Sequence, residues 1–303
     1  MTQMSYFVTT LYPSVDLIDS IVFEEINTNG NIYFSKSFLK AFEVSNPQIE
    51  FKYISISDSQ KKPSALVLIQ VISLNVEGML KNIKVAPLLR KGLSFLFCNE
   101  HIKIMFCGNV FLSGEHGIIS VDNNSKSDIY YEIGTAIDSV AANTKSMHAI
   151  FIKDFKFASL TYARQFLNFG YSEIKVEPNL IIKLKPEWKS FEDYKDILKS
   201  KYRIKANKAD SVSSALETRI FSEEDFVTYK YELQTLYQNT IDKASFNAQV
   251  LNLNTYSHLS TFLKNDFIVK GYFLENRLVG FLTALINDNK LDAHFIGLDY
   301  DLN

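Results

Sequence analysis

Three side chains that can exchange protons near neutral pH stand beside interruptions of apolar strands. Glu115 and His116 follow the strand-like run IMFC in the stretch IMFCGNVFLSGEHGI, residues 104–118, and His294 lies inside LDAHFIGLD. An imidazole or a carboxylate can take the proton of an attacking amine, so these three residues are candidates for general acid–base catalysis. Because neighbouring strand residues point to opposite faces, an ordinary structural role stays open for each of them.

Glycine ends the apolar run in the first of these stretches. Gly108 and Asn109 come directly after Cys107. Glycine at the end of a buried strand marks a bulge or the close approach of another group to the backbone. We therefore predict that Gly108 and Asn109 line a cleft, and that Gly108→Val weakens ligand binding without harming the fold.

Other kinds of chemistry find little support in the sequence. No cluster of His, Cys, Asp and Glu has the spacing of a metal site, and the sequence lacks a nucleophile elbow, a P-loop and a dinucleotide-binding glycine pattern. Cys98 and Cys107 stand in apolar runs and are expected to be reduced thiols of a cytoplasmic protein. A net charge of -2 argues against DNA binding through an overall positive charge. The apolar runs are too short for a membrane span, and the N-terminus lacks a signal-peptide pattern.

The elements around these residues follow a repeated order. Two hairpins are predicted, at 51–72 and 267–287, and they align without a gap at an offset of 216 residues. A glycine-containing strand follows each hairpin, with Gly108 and Gly297 at an offset of 189 residues. In the first copy a helix over 127–146, a strand at 147–155, a helix over 158–170 and a strand at 180–185 complete the unit. The order predicts two related α/β units, each a mixed, mainly antiparallel sheet flanked by helices.

The boundary between the two units is predicted near residues 185–190. Pro186 ends the last strand of the first unit, and Ser190 with Asp193 has the spacing of a capping box at the start of a charged helix. We therefore divide the chain into a first lobe, residues 1–187, and a second lobe, residues 188–303, which begins with this linker helix. The second lobe has no counterpart of the first after its glycine-containing strand, so we expect it to be incomplete at its C-terminus.

The succession of helices, hairpin, glycine-interrupted strand, helix, strand and the stretch ARQFLNFGYSEIKVEPNLIIKL resembles the GNAT acyltransferases. Two such units joined by a charged helix with KYRIK resemble the bacterial Fem-like aminoacyl transferases of peptidoglycan biosynthesis. The resemblance implies that backbone groups at the interrupted strand hold the carbonyl of an acyl-CoA or aminoacyl-tRNA co-substrate and stabilise an oxyanion. The residues to which it gives this binding role are Gly108, Asn109, Gly297 and Leu298.

The densest basic stretch of the chain is YKDILKSKYRIKANKA in the predicted linker helix. A solvated helix face is the ordinary interpretation of such a charge run. The alternative is that Lys201, Tyr202 and Arg203 contact phosphates of CoA or of a tRNA acceptor end, where a guanidinium fork and ring stacking are useful.

One departure from the GNAT pattern concerns the phosphate-binding loop. The stretch SGEHGIISVDNNSKSD lacks the leading Arg or Gln and the glycine spacing of the family's pyrophosphate loop, so we expect the first lobe not to hold CoA in the usual way. The hypothesis is an acyltransferase without a metal or a tightly bound cofactor, acting on the amine of a small molecule or a peptidoglycan precursor. The alternative is a non-catalytic duplicate that binds a peptide, a glycan or a protein partner between the lobes.

Overall fold

The computed structural model describes residues 7–75, 101–121, 125–176, 178–244 and 249–302. Its strands form two separate sheets. The strands of sheet A are β1 (Val8–Tyr12), β2 (Glu50–Ser57), β3 (Pro63–Asn75), β4 (His101–Cys107), β5 (Ile118–Ser120) and β6 (Met147–Ile152). The strands of sheet B are β7 (Glu217–Ile220), β8 (Phe267–Leu274), β9 (Arg277–Asn287) and β10 (Lys290–Leu298).

Sheet A is mostly antiparallel. The strands β1, β2, β3 and β4 are successive antiparallel neighbours, and β6 runs parallel to β4 at the edge. One edge of β3 pairs with two strands in turn, since Ile69–Asn75 face β4 and Ala65–Val67 face β5. The chain therefore leaves this edge after Cys107 and returns to it at Ile118. Residues 108–117 form this excursion, which we call the 108–117 loop.

Helices cover both faces of sheet A. The helices of this part are α1 (Ser20–Ile26), α2 (Lys36–Ser45), α3 (Lys126–Ala142) and α4 (Leu160–Ala163), the last within a run of 3₁₀ turns. Alternate residues of β3 point to opposite faces: Leu66 and Leu68 share a core with α1 and α2, whereas Val67 and Ile69 share one with α3. The central strand is thus apolar on both faces, as the near-continuous run ALVLIQVI predicts.

Helices also cover one face of sheet B. The helices of this part are α5 (Phe191–Ile197), α6 (Ser200–Ser213), α7 (Glu223–Thr228), α8 (Lys230–Lys243) and α9 (Asn254–Leu263). Buried and half-buried residues alternate along β8, and the buried ones pack with α7, α8 and α9. The capping box of Ser190 and Asp193 starts α5, which confirms the predicted start of this helix. At the edge, β10 pairs with β9 and has no second partner among the described strands.

This architecture confirms the predicted mixed α/β class with mainly antiparallel sheets flanked by helices. One apolar core runs through both halves of the chain, because α2 packs against α9 and residues of both sheets join it. The lobe boundary at residue 187 stays a prediction. Within the described ranges, no helix has the length and apolar character that crossing a membrane requires.

The two predicted hairpins are β2–β3 and β8–β9, and they lie in different sheets, as a duplication predicts. Each has a register shift at the same place, after Ile56 in one and after Tyr272 in the other, which are 216 residues apart. Beyond the shift, Ser57 pairs with Pro63 but Phe273 pairs with Leu278. The second strands therefore align at an offset of 215, since the second turn is one residue shorter, and the gapless alignment is wrong by that residue.

The register also corrects the pairing of Gly108 with Gly297. The Gly108 N–H donates to the carbonyl of Leu68 at 3.1 Å, and at the offset of 215 the counterpart of Leu68 is Thr283. Thr283 lies opposite the register shift of β10, which contains His294. The irregular point of β4 thus corresponds to the bulge at His294, and Gly297 lies beyond it.

The predicted strand at 180–185 is not formed. These residues pair with neither sheet, and Leu180, Ile181 and Leu184 are exposed to solvent. In the described part of the chain β6 is the outermost strand on its side of sheet A. An apolar run predicts strand propensity, but it does not specify a partner edge, which explains the error. Cys98 and the ambiguous segment at 82–100 lie outside the described residues.

Candidate functional site

Tyr33 lies in a short 3₁₀ turn, Ile32–Phe34, between the two sheets. Asn31 caps this turn, since its Oδ1 accepts from the Tyr33 N–H at 3.2 Å. From the end of β9, Asn287 Oδ1 accepts from the Ile32 N–H at 3.0 Å. The Tyr33 side chain is thereby positioned against sheet B, where it is 2% exposed.

The Tyr33 hydroxyl contacts two residues of β10. It donates to Asp292 Oδ2 at 2.7 Å, and His294 Nε2 lies 2.7 Å from the same oxygen. A phenol has one proton and a carboxylate only accepts, so His294 donates its Nε2–H to Tyr33 and keeps an unprotonated Nδ1. Burial lowers the pKa of His294 to about 4, although Asp292 acts in the opposite direction. Burial and the bond to Asp292 raise the pKa of Tyr33 well above its usual value, so the phenol stays protonated.

His116 reaches the other side of Tyr33 from the 108–117 loop. The two rings are stacked, with centroids 3.7 Å apart and planes 28° apart. His116 Nε2 lies 3.2 Å from the Ser113 carbonyl, which can only accept, so this nitrogen carries the proton. The other nitrogen, Nδ1, is buried and has no hydrogen-bond partner among the described residues. Burial, followed by the nearby His294, lowers the pKa of His116 to about 4, so the ring is a neutral base at pH 7.

Two glycines with positive φ let the 108–117 loop adopt this shape. Gly114 has φ of 126°, and a Cβ there would lie 2.4 Å from His116 Nε2. Gly108 has φ of 139°, and a Cβ there would lie 2.6 Å from Lys153 Cγ. L-residues rarely adopt such φ values, so the expectation that Gly108→Val leaves the fold intact is wrong. The structure explains Gly108 by backbone conformation and packing.

A lysine and an aspartate directly after β6 fasten the loop. Lys153 Nζ donates to the carbonyls of Asn109 at 3.0 Å and Leu112 at 2.6 Å, and it pairs with Asp154 at 2.7 Å. Asp154 Oδ2 also accepts from the Gly114 N–H at 3.0 Å. The ends of the loop and its glycine turn are thus tied to sheet A.

Backbone N–H groups at the predicted carbonyl-binding position are already used. The Gly108 N–H bonds to Leu68, the Val110 N–H donates to Gln70 Oε1 at 2.6 Å, and the Phe111 N–H donates to Asn109 Oδ1 at 2.9 Å. The side-chain NH₂ groups of Gln70 and Asn109 are buried and have no partner among the described residues. Unpaired donors are therefore present near the end of β4, but on side chains.

The structure separates Glu115 from His116. Burial raises the pKa of Tyr130 on α3, and the charge of Glu115 adds to the effect, so Glu115 lies on the α3 side of sheet A. His116 faces Tyr33 on the opposite side. The strand-like alternation that kept a structural role open for these residues thus persists in the loop.

The remaining predicted site residues lie away from the Tyr33 cluster. A Cβ on Gly297 would lie 2.2 Å from Phe281 Cε1, so this glycine serves close packing in sheet B, and the Leu298 carbonyl accepts from Asn239 Nδ2 at 3.2 Å. Lys201 and Tyr202 are exposed on α6, with the ammonium 4.8 Å from the ring centroid. The Arg203 guanidinium donates to carbonyls at the end of α5, including that of Leu198 at 3.1 Å.

Sequence reasoning missed Tyr33, Asp292 and Gln70. A glutamine inside the run ALVLIQVI was the available signal for Gln70, since a polar residue in a buried strand needs a reason. Tyr33 resembled an ordinary aromatic residue. Burial raises the pKa of the Cys107 thiol, which argues against a nucleophilic cysteine there. No three His, Cys, Asp or Glu side chains of the described ranges come together as metal ligands.

No protein-family model matches this sequence, and no curated protein is significantly similar to it. One similar solved structure is the C-terminal domain of an Agrobacterium fabrum protein named as a lysylphosphatidylglycerol synthetase. The similarity is distant, with 8% identity and a TM-score of 0.45, and it covers 92% of this chain and 69% of that one. We transfer neither a family nor an activity from it.

Proposed function

We propose that this chain is an acyltransferase that moves an acyl or aminoacyl group from a thioester or an aminoacyl-tRNA to an amine. The catalytic centre in this proposal is the Tyr33 cluster, formed by Tyr33, His116, Asp292 and His294. The observation that supports it best is the unpaired, unprotonated Nδ1 of a buried, neutral His116. A positioned neutral imidazole is the usual general base for amine attack on a carbonyl.

The proposed reaction needs one proton relay and no external oxidant or reductant. The amine nitrogen attacks the donor carbonyl, and His116 Nδ1 takes the proton that the nitrogen loses. As the new C–N bond is completed, the C–S bond of a thioester or the C–O bond of an aminoacyl ester breaks. The same imidazole returns the proton to the leaving sulfur or oxygen, so the enzyme ends unchanged. Stacking on Tyr33, which Asp292 and His294 hold in place, orients the His116 ring.

The cluster is covered in this structure, so a substrate reaches His116 Nδ1 when the 108–117 loop moves away from Tyr33. Loops that close over a reaction site exclude water, which would otherwise hydrolyse the activated donor. The tie between Lys153 and the loop carbonyls is the contact that opening has to loosen.

The repeated α/β order supports a Fem-like enzyme, and in that case the acceptor is the amine of a small molecule or of a peptidoglycan precursor. Exposed Lys201 and Tyr202 on α6 are available to contact phosphates of CoA or of a tRNA acceptor end. The bonds from Arg203 to the end of α5 favour a structural role for that guanidinium.

The experiment is a transfer assay with two donor classes. Purified protein is incubated with acyl-CoA esters or with bulk aminoacyl-tRNA, together with free amino acids, a simple primary amine or a UDP-linked peptidoglycan pentapeptide. Release of CoA thiol or of uncharged tRNA, and label in the acceptor, are measured. We expect amine-dependent transfer from one donor class and its loss in the double variant His116→Asn, His294→Asn. Equal transfer by the folded double variant would refute the assignment of the centre.

A binding protein without catalysis is the second candidate, and the depth of the cluster favours it. Tyr33 is 2% exposed, and its hydroxyl makes contacts that join the two halves of the chain. If folded wild-type protein consumes neither donor class while it binds a peptide or a glycan, this second function replaces the first.

A further inference from the structure

Gln70 is a polar residue in the middle of a buried apolar face. It lies on β3 between Leu68 and Ile72, whose side chains belong to the core shared with α1 and α2, and it is 0% exposed. Its Oε1 accepts from the Val110 N–H at 2.6 Å. Because a backbone N–H can only donate, the oxygen must face Val110 and the NH₂ group must point elsewhere. That NH₂ group has no partner among the described residues.

Asn109 repeats the arrangement from the 108–117 loop. It is 1% exposed, and its Oδ1 accepts from the Phe111 N–H at 2.9 Å, which leaves its buried NH₂ group unpaired as well. Val110 and Phe111 are consecutive, with Cα atoms about 3.8 Å apart, so both amides are anchored at one turn. Two buried donors without acceptors are costly, and such groups occur where a ligand supplies the acceptor.

We propose that the side-chain NH₂ groups of Gln70 and Asn109 form the site for the carbonyl oxygen of the acyl donor. The site takes an ester, thioester or amide carbonyl and stabilises the negative charge that develops on its oxygen during attack. This inference rests on the proposed function, which it deepens. In this chain the backbone N–H groups at the end of β4 bind Leu68, Gln70 and Asn109, and the two side-chain amides present the donors in their place.

Two variants remove the unpaired donors with different side effects. Asn109→Asp keeps an oxygen for the Phe111 N–H and replaces the NH₂ group by a second oxygen. Gln70→Met fills a similar volume and removes the amide entirely. Loss of one oxyanion donor lowers transfer by about 100-fold to 1,000-fold, whereas removal of an unpaired buried donor does not by itself lower the melting temperature. The matched control is Asn143→Asp, since the Asn143 NH₂ group is already bonded to the Ser139 carbonyl at 2.8 Å on the surface.

Binding is measured separately from turnover. The side-chain NH₂ signals of Gln70 and Asn109 are assigned by their disappearance in the two variants. They are then followed by NMR during titration with S-acetonyl-CoA, a ketone analogue of a thioester, and with puromycin, an amide analogue of an aminoacyl-tRNA end. CoA without the acyl carbonyl is the control. We expect a downfield shift of both NH₂ signals with one analogue and none with CoA.

The outcomes separate this inference from the proposed function. Shifted NH₂ signals in a protein without turnover would support the carbonyl site and refute the transferase. Turnover in the wild type that persists in both variants would refute the carbonyl site and leave the transferase. NH₂ signals that respond to neither analogue would show that internal water satisfies both amides, and the inference would be wrong.

Discussion

At the scale of single residues, the proposed chemistry depends on protonation states set by burial. His116 and His294 flank Tyr33, and the pKa of each is lowered to about 4, chiefly by burial. The sequence predicted both histidines as acid–base candidates from their positions beside strand interruptions. It could not predict that Tyr33, far from both in the chain, joins them, because that contact depends on how the two sheets pack.

The two histidines should make stability fall in mild acid. Unfolded imidazoles bind protons below a pH of about 6.5, but the folded ones, with pKa values of about 4, do not. The unfolded state therefore binds more protons between these values, and the free energy of unfolding falls as pH drops from about 6.5 to about 4, by about 3 kcal/mol per histidine at most. Urea unfolding between pH 4 and 8 measures this slope. The double variant His116→Asn, His294→Asn should show a shallower one, and an identical slope would contradict the buried neutral state.

Gly108 should be irreplaceable for structural reasons. Gly108→Ala forces an L-residue to φ of 139° and brings its Cβ within 2.6 Å of Lys153, so we expect a loss of about 1–3 kcal/mol in the free energy of unfolding. Gly30→Ala is the matched control, since Gly30 also has positive φ, at 62°, but open space around it. Chemical denaturation of both variants tests this. A smaller loss for Gly108→Ala than for Gly30→Ala would show that Lys153 adjusts freely.

At the scale of elements, the 108–117 loop and the contact between α2 and α9 place the cluster. The sequence predicted α2, the hairpins and β4 well, because their apolar residues follow helical or alternating spacing. It did not predict that β3 pairs with β4 and β5 in turn, which makes residues 108–117 a closed excursion. The strand predicted at 180–185 failed for a related reason, since local pattern does not specify a pairing partner.

Asn46 is the polar connection between α2 and α9. This fully buried side chain donates to the Phe42 carbonyl at 2.8 Å and to Thr255 Oγ1 at 3.2 Å, and it accepts from the Asn252 N–H at 3.2 Å. Asn46→Ala leaves buried groups unpaired, so we expect a loss of about 1–3 kcal/mol in the free energy of unfolding. Asn143→Ala, which removes the same kind of bond to the carbonyl four residues earlier, but on the surface, should cost much less. Similar losses would mean that the connection contributes little.

At the scale of the whole molecule, the two sheets share one apolar core. Buried residues of sheet A, α2, α9 and sheet B all belong to it, and the Tyr33 cluster lies where the halves meet. The sequence predicted two related units, and the matching register shifts of the two hairpins agree with that prediction. How the units pack was beyond it, since residues that join them, such as Asn46 and Asn287, carry no recognisable pattern.

A shared core predicts cooperative unfolding of both halves. Differential scanning calorimetry should show one transition, with a calorimetric enthalpy close to the van't Hoff enthalpy. Two resolved transitions, one of them sensitive to Asn46→Ala, would show that the halves unfold independently.

The most direct test of the central claim is the transfer rate of His116→Asn. An amide in place of the imidazole cannot accept a proton at pH 7, so kcat should fall by about 100-fold or more, while KM for the donor changes little. His258→Asn on α9, outside the Tyr33 cluster, should transfer at the wild-type rate. A folded His116→Asn protein with wild-type kcat would contradict the claim that the Tyr33 cluster is the centre of acyl transfer.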